Sequence, residues 1–140
     1  MLQKLKKRLK NQRGMTLVEL LAVIVILGII SAIAVPSFGG LIDKTKKDAN
    51  VAEAIQIINS AKLYNTTNPT DLIMDNSKLG TYLDNIKDTD YVVNATKGAN
   101  GKLTYEISKH DAVGIVGADE KDTENNDSVT ETKLLKYSGN

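Results

Sequence analysis

The stretch Gly14-Met15-Thr16-Leu17-Val18-Glu19 decides how this chain is organised, because it places a carboxylate near the start of a long apolar run. From Met15 to Phe38 the run contains no charged residue other than Glu19. A charge inside a membrane-spanning helix costs roughly 2.5–3.5 kcal/mol at the bilayer centre, and such residues usually have a function. Glu19 is therefore the first candidate functional residue.

The apolar run is long enough to cross a membrane. A helix over residues 15–38 would be about 36 Å long, which exceeds the roughly 30 Å of a hydrocarbon core. Gly28 and Pro36 weaken this helix, because glycine has a low helix propensity and proline lacks a backbone donor and clashes with the preceding turn. We predict a transmembrane helix with flexibility, as a kink or local melting, between Gly28 and Pro36.

Residues 1–14 form a basic leader. It contains no acid and six cationic side chains: Lys4, Lys6, Lys7, Arg8, Lys10 and Arg13. Because the whole chain has a formal net charge of +1, residues 15–140 are net −5. The positive-inside rule places the leader in the cytoplasm, and the acidic remainder does not support direct binding of DNA phosphates. The absence of cysteine excludes disulfides and thiolate metal sites.

The apolar run continues into an amphipathic helix. Apolar residues recur at spacings of three and four over residues 39–64, which predicts a helix that ends at about Tyr64. Pro69 and the Asn/Thr cluster before it should stop the helix, because this cluster competes for backbone hydrogen bonds.

Residues 65–140 predict a small head with an aliphatic core. Tyr91–Val93 and Leu103–Ile107 flank a glycine-rich turn and indicate a β-hairpin. Further strands are predicted at Ala112–Val116 and Lys133–Tyr137, a short helix capped by Thr70 or Asp71 within Leu72–Ile86, and an acidic loop near 117–132. The predicted fold class is α+β, with the long N-terminal helix packed on a small antiparallel sheet.

The basic leader, Gly14 with the five residues after it, the apolar run and Pro36 together resemble a prepilin of the type IV pilin and pseudopilin superfamily. This resemblance implies that a prepilin peptidase cuts between Gly14 and Met15 and methylates the new amine of Met15. It also implies that Glu19 neutralises a subunit's terminal amine during assembly, and that Gly28 to Pro36 unwinds in an extensible filament.

The resemblance implies partners as well. These are copies of the chain in a filament, the peptidase, membrane lipid before assembly, and a cytoplasmic ATPase with a membrane platform protein. The expected product is a major pilin-like subunit of a surface filament, as in the competence pili with which Gram-positive bacteria take up DNA. A pseudopilin of a type II secretion system is the alternative within the superfamily.

A third possibility is a secreted domain released by ordinary signal cleavage after Ala34, since Ala32-Ile33-Ala34 matches the small-x-small cleavage pattern. Catalysis has no support, because no nucleophile–base pair or phosphate-binding loop can be assembled. We predict no cofactor and no metal ligand, and interpret the acidic loop as solvated although its oxygen ligands would also suit calcium. His110 is predicted to be a surface loop residue.

Overall fold

The computed structural model describes residues 2–119 and 127–139. Helix α1 spans Leu2–Thr67 and is followed by strand β1 at Ile73–Asp75, helix α2 at Asn76–Leu79 and a 3-10 turn at Gly80–Tyr82. Strands β2 at Val92–Lys97 and β3 at Leu103–Ser108 come next, then helix α3 at Asp111–Asp119, strand β4 at Ser128–Thr130 and helix α4 at Glu131–Ser138. The chain divides into two compact units, Met1–Asp43 and Lys44–Asn140.

At the C-terminal end of helix α1, polar side chains donate hydrogen bonds to the last backbone carbonyl groups. The hydroxyl of Thr66 donates to the carbonyl of Leu63 over 2.6 Å, and the hydroxyl of Thr67 donates to that of Tyr64 over 3.0 Å. Both the backbone and side-chain N–H groups of Asn68 also donate to Tyr64. Pro69 cannot continue the helix. Helix α1 therefore ends at Thr67, three residues beyond the predicted end at about Tyr64.

The second unit is built on a four-stranded antiparallel sheet in the order β1-β2-β3-β4. The predicted hairpin is confirmed as β2 and β3, which pair Val93 with Ile107 and Ala95 with Tyr105. At its turn Gly101 has a φ of +78°, a left-handed conformation that glycine adopts without strain. The α+β fold with a long helix and a small antiparallel sheet is thus confirmed.

The core of the head is aliphatic and lies between α1 and the sheet. The head half of α1 buries one face, made of Val51, Ala54, Ile57, Ile58 and Ala61. The other elements contribute the remaining buried apolar side chains: Met74, Leu79, Tyr91, Val93, Ala95, Tyr105, Ile107, Ala112, Val113, Val116, Val129 and Leu134. Apolar residues at helical spacing in α1 therefore meet alternate residues of the strands.

Two predicted strands are wrong. Ala112–Val116 lies in α3, where the buried Ala112, Val113 and Val116 share one helical face. Lys133–Tyr137 lies in α4, which Gly139 ends with a φ of +85° and an N–H that donates to the carbonyls of Leu135 and Lys136. Short apolar runs fit a helix or a strand equally well, and here the helical period prevails.

The prediction for Leu72–Ile86 is only partly right. The segment begins with β1, and its α-helix is limited to the four residues of α2. The cap is Asp75, whose side chain accepts from the backbone N–H of Ser77, rather than Thr70 or Asp71. In the acidic segment, residues 120–126 lie outside the described part of the chain.

Candidate processing and assembly site

The predicted cleavage site lies within a helix. Gly14 and Met15 are consecutive residues of α1, and Glu19 follows Met15 by four positions. On an α-helix this spacing places the two residues on one face, about 6 Å apart along the axis. A new terminal amine at Met15 would therefore begin a helix whose first turn leads to Glu19.

Glu19 is exposed in this single chain, and none of the ion pairs among the described side chains includes it. Its apolar neighbours Leu17, Val18, Leu20 and Leu21 are 59–69% exposed. In water such an arrangement would leave a large apolar surface uncovered, and in lipid it would leave a carboxylate without a partner. The surroundings that Glu19 requires are therefore not supplied by the first unit.

The rest of the apolar segment has the same character. An 18-residue window of the helix has a mean hydropathy of 2.9 and no buried residue, so the helix is long and apolar enough to cross a membrane. Its large aliphatic side chains, from Val23 to Val35, are 52–71% exposed. A lipid bilayer or a bundle of similar helices would cover this surface.

Gly28 and Pro36 do not interrupt the helix in this state. A Cβ atom at Gly28 would meet nothing within 4 Å, so packing does not explain this glycine. Next to Pro36, the hydroxyl of Ser37 donates to the carbonyl of Ile33 over 3.0 Å. This bond adds a side-chain donor in the turn where Pro36 offers no backbone N–H. Unwinding between Gly28 and Pro36 stays a prediction.

The head contains polar contacts that no local pattern predicts. Lys62 on α1 forms an ion pair with Glu131 on α4, 69 residues away in the sequence, and lies 5.8 Å from the ring centroid of Tyr105. The Asp71 carboxylate accepts from Lys78 Nζ at 2.8 Å and from the Tyr64 hydroxyl at 3.1 Å. These contacts hold the segments around the sheet to α1, a structural role.

The prediction that His110 is a surface residue is wrong. His110 is only 4% exposed, because it lies between α1 and the start of α3. Its environment suits a structural role better than catalysis, since the nearest acidic group, Glu53, is itself bound to two backbone amides. Among the described residues, no three His, Asp or Glu side chains are placed to hold a metal ion.

An apolar groove of about 470 Å³ lies on the head between the helices. Val51 and Ile55 of α1 and Tyr137 of α4 form its walls, while Lys44 and Asp48 contribute charges. These residues come from distant parts of the sequence, so the groove was not predictable from spacing.

Comparison with known proteins agrees with this organisation. Residues 9–35 match the family model for the prokaryotic N-terminal methylation motif. The chain is 34% identical over 61 residues to the type II secretion system core protein G of Klebsiella michiganensis, covering 44% of this chain and 43% of that protein. The corresponding Escherichia coli K12 protein is 35% identical over 58 residues, covering 41% of this chain and 40% of that protein.

A relative that extends through the head is a fimbrial protein of Pseudomonas aeruginosa, which is 27% identical over 137 residues and covers 91% of this chain and 89% of that protein. The chain spans only about two fifths of the length of the core G proteins that it matches. No solved structure matches the chain.

The methylation motif, the apolar helix and the small antiparallel head are the features expected of a pilin-type protein. The motif match and the similarity to core protein G and to a fimbrial protein support a type IV pilin-like superfamily for this chain.

Proposed function

We propose that this chain is a major pilin-like structural subunit of a type IV pilus-like surface filament. Its prepilin peptidase cuts between Gly14 and Met15 and methylates the amine of Met15. The observation that carries this proposal is Glu19, an exposed carboxylate without an ion pair in the described chain, four residues beyond that cleavage site in an apolar helix.

Removal of the leader converts a membrane-anchored chain into a subunit that can leave the membrane. Six cationic side chains hold the leader in the cytoplasm before cleavage, with the head on the outer side. None of the six could be buried in a helix bundle at low cost. Cleavage replaces them with one amine, which Glu19 can neutralise.

The partner of Glu19 is proposed to be the amine of a neighbouring subunit. Helical geometry also brings the subunit's own amine within one turn, and an acid near a helix N-terminus is favourable in any case. Only the pair between subunits fixes the axial position of one chain against the next. That pair therefore explains the position of Glu19 better than pairing within one chain.

Moving subunits out of the membrane requires energy, and other proteins are proposed to supply it. A cytoplasmic ATPase and a membrane platform protein would move subunits out of the lipid, and Gly28 to Pro36 would unwind as the filament forms. We propose no catalytic role for the chain. Its acidic head gives no support for direct DNA binding, so a role in a competence pilus would rest on the filament as a whole.

A pseudopilin of a type II secretion system is the second candidate. It is favoured by the higher identity to the core G proteins, although that similarity covers about two fifths of the chain. The fimbrial relative covers the head as well, at lower identity. Deletion of the chain would separate the two: loss of surface filaments supports a pilin, while retention of an exported protein inside the cell supports a pseudopilin.

The mature N-terminus tests the proposal directly. Intact mass and N-terminal sequencing of protein from the native cell should give a start at Met15, with an added methyl group. A bulky residue at Gly14 should leave the leader attached, whereas Gly14→Ala is a milder control because alanine is also small. A mature chain that starts at Val35 would overturn the proposal and support ordinary signal cleavage after Ala34.

A further inference from the structure

His110 is a buried ring that lies between the start of α3 and Glu53 on α1. Its side chain is 1% exposed, and its Nδ1 atom accepts the backbone N–H of Ala112 over 3.1 Å. This bond satisfies one of the free amides in the first turn of α3, so the imidazole acts as an N-terminal cap for that helix. His110 follows Lys109, whose φ of 60° makes a sharp turn after β3.

The other side of the ring faces a network of carboxylates. Glu53 on α1 lies with Oε1 at 3.7 Å from His110 Nε2, and the same oxygen accepts the backbone N–H groups of Lys87 and Asp88 at 3.1 Å each. Asp88 in turn accepts the backbone N–H of Asp111 over 3.2 Å. The network therefore connects α1, the loop before β2 and the first turn of α3.

The capping bond defines the protonation state of the ring. Because Nδ1 accepts a hydrogen bond, it carries no proton, and the proton of the neutral ring is on Nε2. Nε2 is buried and makes no hydrogen bond, since 3.7 Å is too long for one. A second proton could enter only at Nδ1, where it would oppose the N–H of Ala112.

We propose that His110 is a pH-dependent cap of α3: the neutral ring caps the helix through Nδ1, and proton uptake at Nδ1 removes this hydrogen bond and loosens the first turn of α3. The proton comes from solvent and no other bond is made or broken. The imidazolium would be drawn toward Glu53, which shortens the 3.7 Å gap and moves the ring away from Ala112. The head would thus loosen at α3 on mild acidification.

Some groups around the His110 ring favour its protonated form and others favour its neutral form. Glu53 on α1 and Asp88 in the loop favour the cation, and Asp111 in the first turn of α3 adds a third acid. Burial and the Ala112 amide favour the neutral ring, while Lys87 and Lys109, the sequence neighbours of Asp88 and His110, are exposed to solvent. Histidine ordinarily titrates between about pH 5 and 8, so the test covers that range.

The test uses the full chain in detergent micelles. His110 is the only histidine, so ¹⁵N-histidine labelling gives a single unambiguous pair of ring signals. At about pH 7.5 the spectrum should show Nδ1 without a proton, and at about pH 5 both nitrogens should be protonated. Hydrogen exchange of the α3 amides, corrected for intrinsic rates, should then become about fivefold faster at the lower pH, as expected for a lost cap.

Three substitutions keep the proposal falsifiable. His110→Asn retains a capping oxygen that cannot titrate, so α3 protection should not change with pH. His110→Ala removes the cap, so hydrogen exchange of the α3 amides should be fast at both pH values. Glu53→Gln keeps an acceptor for the loop amides but removes the charge, so the transition should move to lower pH. A ring with the proton on Nδ1 at neutral pH, or an unchanged transition in His110→Asn, would overturn the proposal.

Discussion

The two halves of α1 carry similar aliphatic side chains in opposite surroundings. Val25 and Ile26, in the first unit, are 53% and 56% exposed, whereas Ile57 and Ile58 in the head half are fully buried. Both halves are helical, so secondary structure alone does not distinguish them. The head half packs against its own sheet, while the first half requires lipid or other chains to cover it. One helix therefore stabilises a domain at one end and is available for assembly at the other.

The largest effect is expected at Glu19. Glu19→Ala and Glu19→Gln should both insert into the membrane yet abolish filaments, because neither can neutralise an amine. Glu19→Asp should retain part of the assembly, and Val18→Ala is a matched control that should assemble normally. Electron microscopy and the amount of sheared surface filament measure the outcome.

Mixed expression distinguishes the two possible partners of Glu19. With pairing between subunits, a tagged Glu19→Ala subunit still offers its amine and should enter wild-type filaments at a reduced share. With pairing inside one chain, the tagged subunit should be excluded. Abundant filaments made only of Glu19→Ala subunits would contradict charge pairing altogether.

The next largest effect separates the two halves by stability. Ile57→Ala should lower the free energy of unfolding of the head by about 2–5 kcal/mol, because it removes fully buried methyl and methylene groups. Ile26→Ala should leave head stability unchanged. All five tyrosines lie in the second unit, Lys44–Asn140, so tyrosine fluorescence during denaturant unfolding reports this unit alone.

Equal losses of unfolding free energy in Ile57→Ala and Ile26→Ala would mean that the two halves of α1 unfold as one unit. The two halves would then not differ in their contribution to stability. The filament assay should give the complementary result. Ile26→Ala alters the surface proposed for assembly, so any loss of filaments there should occur without loss of head stability.

The buried phenol of Tyr91 makes the stability of the head depend on pH in the alkaline range. Desolvation raises the pKa of Tyr91 to about 12, with smaller contributions from Asp75 and Asp88. Since the folded pKa lies above the ordinary value of about 10, the protonated phenol stabilises the fold below pH 10, and this contribution is lost as pH rises toward 12. The loss should amount to roughly 2–3 kcal/mol.

Thermal unfolding between these alkaline pH values, followed by circular dichroism, measures the Tyr91 effect. Tyr91→Phe should lack this part of the loss, at the cost of the 3.3 Å hydrogen bond to Asn76. Tyr82→Phe, at a residue that is 42% exposed, is the control and should keep it. An identical alkaline profile in Tyr91→Phe would show that another group is responsible.

The sequence predicted the features that depend on a long, regular pattern. Helix α1 follows from its periodicity, and the β2–β3 hairpin follows from β-rich runs on either side of a glycine turn. Helices α3 and α4 were mistaken for strands because each contains only a few apolar residues. His110 lies buried beside Glu53, which binds the backbone N–H of Asp88, and these residues are far apart in sequence and meet only in the folded head.

The candidate site was predictable for a different reason. Gly14, Met15 and Glu19 form a local motif, and the motif match over residues 9–35 includes all three. Their roles stay predictions, because the proposed partner of Glu19 would be created by cleavage and would belong to another subunit. A single chain can present the carboxylate but cannot show what neutralises it.

The smallest expected effect concerns the partly buried ion pair between Lys78 and Asp71, which holds the loop after α1. The hydrogen bond from Lys78 lowers the pKa of Asp71, assisted by the hydroxyl of Tyr64, while partial burial opposes the shift. A lowered carboxyl pKa stabilises the fold above the ordinary value of about 3.9, and this contribution is lost as pH falls through the folded pKa. Asp71→Asn should therefore flatten the acid limb of the stability profile and lower the melting temperature slightly at neutral pH.

Asp84→Asn, at an exposed aspartate of the loop before β2, is the control for the change in net charge. Added salt should shrink the difference between wild type and Asp71→Asn, because exposed pairs are screened. A salt-independent difference would instead assign the effect to the Tyr64 hydrogen bond, which holds the same loop against the end of α1.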